Sequence, residues 1–188
     1  MLTDKLIILG RDGVLNRYRS DHVKTAAEWE PLPGALDALA RLTQSGWHAV
    51  VATNQEGIGR GVVDMTSVNA IHQRMIKAAQ AAGGRIDAVF LCPHAPEESC
   101  DCRKPQPGLI LQIAKRYNAT LGRVPLLCDN VRDLQAAQAA GCQPHLLGTG
   151  RAAALPPEEI KAWVDSVPGT RMHKDLAAFA DFWLHDKS

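Results

Sequence analysis

The sequence predicts an α/β fold in which a parallel sheet carries helices on both faces. Short apolar segments alternate along the chain with longer segments whose apolar residues recur at helical spacing. Strands that alternate with helices pair in parallel, because each right-handed crossover returns the chain to the same end of the sheet. With 188 residues and an apolar fraction of 46%, the chain can bury a sizeable core and is predicted to form one domain over residues 1–188.

The predicted strands are continuous apolar runs, the pattern typical of strands that are buried on both faces. In chain order they are KLIIL at 5–9, WHAVVAT at 47–53, IDAVFLC at 86–92, VPLLC at 124–128 and QPHLLG at 143–148.

The predicted helices lie between these strands and after the last one, at 33–46, 65–84, 107–118, 131–141 and 173–187. Pro33 near the start of the first and Gly46 at its end are typical helix boundaries. Thr66 or Ser67 is expected to cap the second helix, which Gly83 and Gly84 end. The segment 151–170 is rich in Pro, Ala and Gly and is expected to run over the surface.

Charge and hydropathy exclude several classes of protein. The net charge of +1 argues against general electrostatic binding to nucleic acid or to a membrane surface. No apolar run approaches the roughly 20 residues that span a bilayer, and the first residues lack the features of a secretory signal. The sequence therefore predicts a soluble, cytoplasmic protein.

Polar residues follow four of the predicted strands. These are Gly10-Arg11-Asp12, Thr53-Asn54-Gln55, Arg103-Lys104 and Asp129-Asn130, with Asp133 close behind. The carboxyl ends of parallel strands lie at one edge of the sheet, so these side chains are expected to meet in one crevice. Each group alone could serve only as a turn or a helix cap, but four in register favour a functional site.

The residue types in this crevice suit phosphoryl transfer. A carboxylate can attack phosphorus, and a second can protonate the leaving alkoxide and then activate water. Lys104 and Thr53 can bind phosphate oxygens. A magnesium ion held by carboxylates and carbonyls would offset the repulsion between these acids and the phosphate.

A cysteine and histidine cluster precedes Lys104. Its members are Cys92, His94, Cys100 and Cys102. Three sulfur ligands and one nitrogen ligand suit tetrahedral zinc, and four protein ligands leave no open position, so the zinc would be structural. Reduced thiols without a metal are the alternative. The other two cysteines, Cys128 and Cys142, are expected to be buried small residues.

Four motifs together resemble those of the haloacid dehalogenase (HAD) superfamily of phosphatases. They are, in chain order, RDGVLN, ATNQEGIGRG, CPHAPEESCDCRKPQPG and DNVRDLQAAQAAG. Over residues 6–150 they look like one branch, the D-glycero-D-manno-heptose 1,7-bisphosphate 7-phosphatases of lipopolysaccharide precursor synthesis. Histidinol-phosphate phosphatases are relatives of that branch, and a histidinol-phosphate-type activity is the alternative, because sugar and amino-alcohol phosphates are handled by the same core residues. The resemblance implies a three-layer, Rossmann-like sandwich with no large cap domain, a zinc-binding loop, a magnesium cofactor, a small phosphorylated sugar as substrate, and a monomer.

The resemblance also implies residue roles. Asp12 matches the general acid and base, Thr53 the hydroxyl that binds the transferring phosphoryl group, and Arg103 and Lys104 the neighbouring cations. The magnesium ligands would be Asp12, Asp129 and Asn130, and the zinc ligands the four residues of the cysteine cluster. Segment 18–21 falls where the family loop meets the sugar phosphate. The expected substrate contacts are Arg11, Asp21, Asn54, Gln55 and Arg60.

Two positions depart from the family pattern. Gly10 stands where the family has its nucleophilic aspartate, and Cys128 stands where it usually has glycine. Loss of the carboxylate at position 10 removes the nucleophile and one magnesium ligand, so we expect strongly impaired turnover and weaker magnesium binding. Cys128 is expected to affect the placement of Asp129.

Three interpretations follow from these departures. The chain is a phosphatase by descent with an engineered or substrate-trapping glycine, or a natural non-catalytic relative that binds a sugar phosphate or a protein. The third interpretation is a zinc-stabilised interaction domain with an empty crevice. Retention of Asp12, Thr53, Lys104 and Asp129 argues against the third.

Overall fold

A computed structural model describes residues 5–185 and contains one six-stranded parallel sheet with the order β3-β2-β1-β4-β5-β6. The strands are β1 Leu6–Leu9, β2 His48–Asn54, β3 Ala88–Cys92, β4 Pro125–Cys128, β5 Gln143–Leu147 and β6 Arg171–His173. The helices are α1 Ala35–Gln44, α2 Glu56–Gly59, α3 Met65–Ala81, α4 Gly108–Tyr117, α5 Val131–Ala140, α6 Pro157–Ser166 and α7 Leu176–His185. The predicted α/β class is confirmed.

Two hydrophobic clusters cover the two faces of the sheet, which gives the fold its three layers. On one face, Leu39, Ile71 and Phe179 bring α1, α3 and α7 against β1 and β2. On the other face, Ile113 and Leu134 place α4 and α5, with α6 beside them, against β1 and β4. Because β1 is buried on both sides, all of its side chains are apolar, as the run LIIL shows.

The strand order reverses direction between β1 and β4, which pair through Leu9 and Leu127. The loops that leave these two strands diverge there and open a crevice at the carboxyl edge of the sheet. Gly10 lies at the base of this crevice, and its N–H donates to the carbonyl of Leu127 at 2.9 Å.

The structure corrects two expectations. Segment 151–170 is not irregular, because it contains α6, in which Pro157 occupies the first turn and buried Ile160 packs against the second cluster. The N-cap of α3 is neither Thr66 nor Ser67 but Asp64, whose carboxylate accepts the Ser67 N–H at 2.7 Å.

Three further elements complete the comparison with the sequence. The last helix begins after the unpredicted strand β6, and residues 186–187 of the segment predicted as its end lie outside the described residues. Cys128 and Cys142 are buried, as expected. Over residues 5–185, every helix is too short or too polar to cross a bilayer.

Candidate active site

Two adjoining cavities lie at the carboxyl edge of the sheet. Residues that line only the inner cavity are Gly10, Thr53, Lys104, Asn130 and Asp133. Residues that line only the outer cavity include Tyr18, Arg19, His22, Glu56 and Arg103. Both share a common wall, formed by Arg11, Asp12, Asn54, Arg132 and Arg151. The four predicted strand ends therefore do converge on one crevice.

The carboxylate of Asp12 lies at the junction of the two cavities, and both of its oxygens are hydrogen-bonded. Oδ1 accepts from Arg11 at 3.0 Å and from Asn16 at 3.0 Å, and Oδ2 accepts from Gln55 at 2.9 Å and from Arg11 at 3.2 Å. Burial alone would raise the pKa of Asp12, but the Arg11 guanidinium and the hydrogen bonds from Asn16 and Gln55 lower it below its usual value. Asp12 is thus ionised at neutral pH in the free protein.

The Arg11 guanidinium that holds Asp12 is itself buried against His72. Its Nη1 lies 3.1 Å from His72 Nε2. Since arginine only donates, Nε2 must accept, and the neutral imidazole carries its proton on Nδ1. Burial, with the charge of Arg11, lowers the pKa of His72 to about 4, which keeps the ring in this neutral form.

Thr53, near the end of β2, and Gln55, directly after that strand, form a short polar chain toward Asp12. The Gln55 amide donates to Thr53 Oγ1 at 2.9 Å and to Asp12 Oδ2 at 2.9 Å. Thr53 is 4% exposed and is part of the lining of the inner cavity. With Oγ1 accepting from Gln55, the hydroxyl proton is available to a ligand oxygen in that cavity.

Lys104 is buried beside the inner cavity and is oriented from three directions. Its ammonium donates to the carbonyl of Ala52 at 2.8 Å and pairs with the carboxylate of Asp133. Its backbone exchanges two hydrogen bonds with the side chain of Asn54, at 3.0 and 3.1 Å. Asn54 therefore fixes the Lys104 backbone as well as lining the crevice.

Arg103 supplies a cation to the outer cavity. Its Nη2 pairs with Glu56 at 2.7 Å, whereas its buried Nη1 has no hydrogen-bond partner within the part of the chain that the structure describes. An unpartnered buried guanidinium N–H is costly, and an anionic group in the outer cavity would satisfy it.

Asp129 directly follows β4 and is covered by Arg151, which comes after β5. The Arg151 backbone N–H donates to Oδ2 at 2.8 Å, and its guanidinium Nη1 lies 3.0 Å from Oδ1 and 3.2 Å from Oδ2. The Asn130 amide donates to Oδ1 at 2.9 Å. Burial raises the pKa of Asp129, and the charge of Arg151 opposes that rise.

The predicted magnesium ligands are paired with protein groups in this structure instead of forming an open set of oxygen ligands. Magnesium requires oxygen ligands in near-octahedral geometry, with carboxylates to offset its charge. Gly10 offers no carboxylate, and both oxygens of Asp129 already accept hydrogen bonds. The side-chain oxygen of Asn130 caps α5 by accepting the Asp133 N–H at 3.0 Å. Each predicted magnesium ligand is thus committed to another partner.

The four residues of the cysteine cluster come together as predicted, with ligand atoms within 4.8 Å of one another. Cys92 Sγ lies 3.1 Å from Cys102 Sγ, 3.9 Å from Cys100 Sγ and 3.4 Å from His94 Nδ1. Tetrahedral zinc with Zn–S bonds of about 2.3 Å would place its sulfur ligands about 3.7 Å apart, so the cluster fits zinc. Burial raises the pKa of the Cys102 thiol to about 12, and two sulfurs close by add to the rise.

This cluster lies at the base of the loop that delivers Arg103 and Lys104. The Arg103 N–H donates to Cys100 Sγ at 3.4 Å, a backbone contact of the kind that supports a metal-bound thiolate. Cys92 ends β3, so the cluster also ties the loop to the sheet. A metal here would fix the position of the two cations without reaching the crevice.

Two of the predicted substrate contacts lie outside both cavity linings. Asp21 is held by Arg19 at 2.9 Å and by Lys24 at 2.9 Å. Arg60 pairs with Glu56 at 3.5 Å and with Glu97. Their roles as substrate contacts stay predictions, whereas Arg11, Asn54 and Gln55 do line the crevice.

The sequence interpretation missed Arg151 and Arg132, which line both cavities. Arg151 comes after β5, so it could have been found as a polar residue that follows a parallel strand, like the others. It was missed because segment 151–170 was expected to be irregular. Arg132 lies in the first turn of α5, and no carboxylate among residues 5–185 forms an ion pair with it.

The placement of Cys128 is also clear. Its side chain is buried in the second hydrophobic cluster, with Sγ 3.5 Å from the Asn130 carbonyl and 3.6 Å from the His145 carbonyl. Burial raises the pKa of this thiol well above its usual value. The side chain is therefore accommodated within the core, and Cys128 lines neither cavity.

Two family models match the chain. One, described as HAD-hydrolase-like, matches residues 101–178, and the other, polynucleotide kinase 3 phosphatase, matches residues 5–131.

Individual relatives match over almost the whole chain. The D-glycero-beta-D-manno-heptose-1,7-bisphosphate 7-phosphatase of Bordetella bronchiseptica is 48% identical over 97% of this chain and 99% of its own length. The enzyme of the same name from Pseudomonas aeruginosa is 40% identical over 97% of this chain and 99% of its own length.

Solved structures show the same similarity in three dimensions. The crystal structure of D,D-heptose 1,7-bisphosphate phosphatase from B. bronchiseptica, complexed with magnesium and phosphate, superposes with a TM-score of 0.91, covering 97% of this chain and 99% of that one at 48% identity. The corresponding phosphatase from Burkholderia thailandensis has a TM-score of 0.73 at 42% identity, covering 96% of this chain and 98% of that one.

Proposed function

This chain belongs to the heptose 1,7-bisphosphate 7-phosphatase family of HAD phosphatases, and we propose that its crevice binds a phosphorylated heptose but hydrolyses it very slowly. The observation that carries the proposal is the glycine at position 10. The rest of the crevice retains the groups that the family chemistry uses, while the one position that would attack phosphorus has no side chain.

The retained groups support binding of a phosphate ester. The inner cavity presents the Thr53 hydroxyl and the Lys104 ammonium, and both are positioned by buried hydrogen bonds. Oriented donors of this kind bind phosphate oxygens. The outer cavity adds the unpartnered Nη1 of Arg103, which suits a further anionic or hydroxyl group of the same ligand.

Impaired turnover follows from the commitments of the remaining carboxylates. Asp12 is bound by Arg11, Asn16 and Gln55, Asp133 by Lys104, and Asp129 by Arg151. None of the three is free to take over attack on phosphorus. Removing a nucleophile from a covalent mechanism costs roughly 10⁴-fold or more in kcat.

A carboxylate can be accommodated at position 10. A Cβ built there would lie 3.2 Å from Val14 Cγ2, 3.5 Å from the Leu127 carbonyl oxygen and 3.8 Å from Asp133 Oδ2. Gly10 is not among the glycines with positive φ, so its backbone does not require glycine. A small shift of the Val14 methyl group therefore makes room for a side chain that points into the inner cavity.

The experiment is a comparison of the native protein with Gly10→Asp, with Gly10→Asn as the isosteric control. Each is assayed for phosphate release from D-glycero-D-manno-heptose 1,7-bisphosphate in magnesium buffer, and each is titrated with the same ligand by calorimetry. In Gly10→Asp the introduced carboxylate attacks phosphorus to form an aspartyl-phosphate and expels the sugar alkoxide. Asp12, ionised in the free protein, takes up a proton when the anionic phosphate binds beside it and gives that proton to the alkoxide. As a carboxylate again, it accepts a proton from the water that hydrolyses the aspartyl-phosphate and releases phosphate.

We expect all three proteins to bind the ligand and only Gly10→Asp to turn over at an appreciable rate. Native turnover within about tenfold of Gly10→Asp would overturn the claim of impairment. Absence of binding to all three proteins would overturn the claim that the crevice binds a phosphorylated heptose.

We also infer that the cysteine cluster holds a structural zinc ion. The four donor atoms lie within 4.8 Å of one another, and four protein ligands on one zinc ion would leave no position for water or substrate. The ion would hold the loop that carries Arg103 and Lys104, so its contribution to function is the placement of those cations.

A further inference from the structure

We propose that the crevice binds the phosphate group of its ligand without magnesium, because the Arg151 guanidinium bound to Asp129 takes the electrostatic place of the metal ion. This inference rests on the proposed function, since it assumes that the crevice binds a phosphate ester.

The first support is that Asp129 is closed off from the crevice. Its side chain is 1% exposed and it lines neither cavity, whereas Arg151 lines both. Its two oxygens accept the hydrogen bonds from Arg151 and Asn130 described above. A cation entering from either cavity would meet the guanidinium before it met the carboxylate.

The second support is that the backbone locks Arg151 in this position. A Cβ added to Gly150 would lie 2.2 Å from Asp129 Oδ2 and 2.5 Å from the Gly13 Cα. The Thr149 hydroxyl donates to the Gly13 carbonyl at 2.6 Å. The loop after β5 is therefore packed directly on the loop after β1, and contact between Arg151 and Asp129 does not depend on one rotamer alone.

The aromatic ring of Tyr18 also contacts the guanidinium. The Arg151 Cζ lies 4.0 Å from the centre of that ring, the geometry of a cation–π contact. The guanidinium is thus held by both a carboxylate and an aromatic ring, and Arg151 lines both cavities.

The third support is the charge balance of the crevice. In the mechanism implied by the family resemblance, a magnesium ion offsets the repulsion between two carboxylates and the incoming phosphate. Here Gly10 removes one of those carboxylates, and Arg151 neutralises the other. The cations Arg132 and Lys104 also line the inner cavity, so a phosphate group enters a site whose acids are already paired.

The test is a calorimetric titration of the full-length protein with inorganic phosphate, with and without magnesium chloride. The magnesium-free buffer contains no chelator, so that the cysteine cluster keeps its metal. We expect the two dissociation constants to agree within about twofold. Affinity that rises about tenfold or more on addition of magnesium would overturn the proposal.

Variants at position 151 test the role of the arginine. In Arg151→Met we expect phosphate affinity in magnesium-free buffer to fall by about tenfold or more, with magnesium recovering part of the loss because Asp129 is then free to hold it. The double variant that combines Asp129→Asn with Arg151→Met leaves no buried unpaired charge. We expect it to lose as much phosphate affinity as Arg151→Met, and magnesium should not restore that affinity because the carboxylate is absent. Arg41→Met removes an exposed arginine paired with Asp181, far from the crevice, and is the control that should bind phosphate as the native protein does.

Native-like phosphate affinity in the double variant, in magnesium-free buffer, would overturn the proposal even if the single variant failed to fold. The outcomes also separate this inference from the proposed function. Binding of heptose bisphosphate that requires magnesium refutes the inference alone. Metal-independent binding of inorganic phosphate without binding of the heptose refutes the proposed ligand alone.

Discussion

The side chain of Asn54 exchanges two hydrogen bonds with the backbone of Lys104, a residue 50 positions away in the chain. Asn54 ends β2, whereas Lys104 lies in the loop after the cysteine cluster. The amide donates to the Lys104 carbonyl and accepts its N–H, so the complete side chain is used in holding the loop. The lysine is therefore positioned by the end of a neighbouring strand as well as by its own ion pair.

Asn54→Ala should lower both stability and phosphate affinity, because it leaves the Lys104 backbone groups without partners. Two lost hydrogen bonds of this kind cost about 1–3 kcal/mol in unfolding free energy. Urea unfolding and phosphate calorimetry measure the two effects. Asn69→Ala, at an exposed position of α3, is the control and should change neither. Unchanged phosphate affinity in Asn54→Ala would contradict a positioning role.

Gly13→Ala should destabilise the fold and disturb Asp129. Gly13 has a φ of +79°, and a Cβ there would lie 1.9 Å from Asp129 Oδ2. Backbone strain alone costs about 1–3 kcal/mol, and the overlap with the buried carboxylate adds to it. The matched control is Gly61→Ala, since Gly61 also has a positive φ, of +69°, while a Cβ there meets no described atom within 4 Å. Equal urea midpoints for the two variants would refute the packing described for Asp129.

His72→Gln should make the protein less sensitive to acid. The pKa of His72 is lowered to about 4 in the folded state, against an ordinary value near 6.5. Between these values the unfolded chain binds a proton that the folded chain does not, so this histidine makes stability fall as pH falls from about 6.5 to 4. Glutamine can still accept from Arg11 but does not titrate.

Urea unfolding at several pH values across that window measures the effect. The native protein should lose more stability on acidification than His72→Gln does, while exposed His185→Gln should follow the native curve. Parallel curves for the native protein and His72→Gln would contradict the neutral, buried state assigned to His72.

Cys100→Ser should release the metal from the cysteine cluster. We expect about one zinc per chain in the purified native protein and much less in the variant, because thiolate is the preferred ligand. Metal-binding free energy contributes to folding, so the variant should lose more than about 2 kcal/mol in unfolding free energy and bind phosphate more weakly. Elemental analysis, urea unfolding and calorimetry give the three readouts.

Cys142→Ala is the control for the metal measurement, because Cys142 is buried outside the cluster. It should keep the native zinc content whatever its effect on stability. Folded native protein without zinc would refute the assignment of the cluster as a zinc site.

Much of the fold could be read from local sequence patterns. The apolar runs of β1 to β5 are continuous because helices cover both faces of the sheet. The helical spacing of apolar residues in α1, α3, α4 and α5 marks the one buried face of each helix. Strand β6 was missed because three residues with half-exposed side chains carry no such pattern; it forms by pairing with β5. Helix α6 was missed because the prolines at its start resembled a loop, although proline also favours the first turn of a helix.

The sequence by itself determined which chemical groups stand at the strand ends, that the cysteine cluster offers four residues able to bind a metal, and that position 10 has no carboxylate. These facts follow from residue identity and from the parallel topology, which brings strand ends to one edge. Only the tertiary structure decided how those groups are paired. Arg151 covers Asp129 across 22 positions, and Asn54 holds Lys104 across 50. Such pairs depend on the packing of one loop against another, and the Gly13–Gly150 contact that brings Arg151 to Asp129 has no periodic signature along the chain.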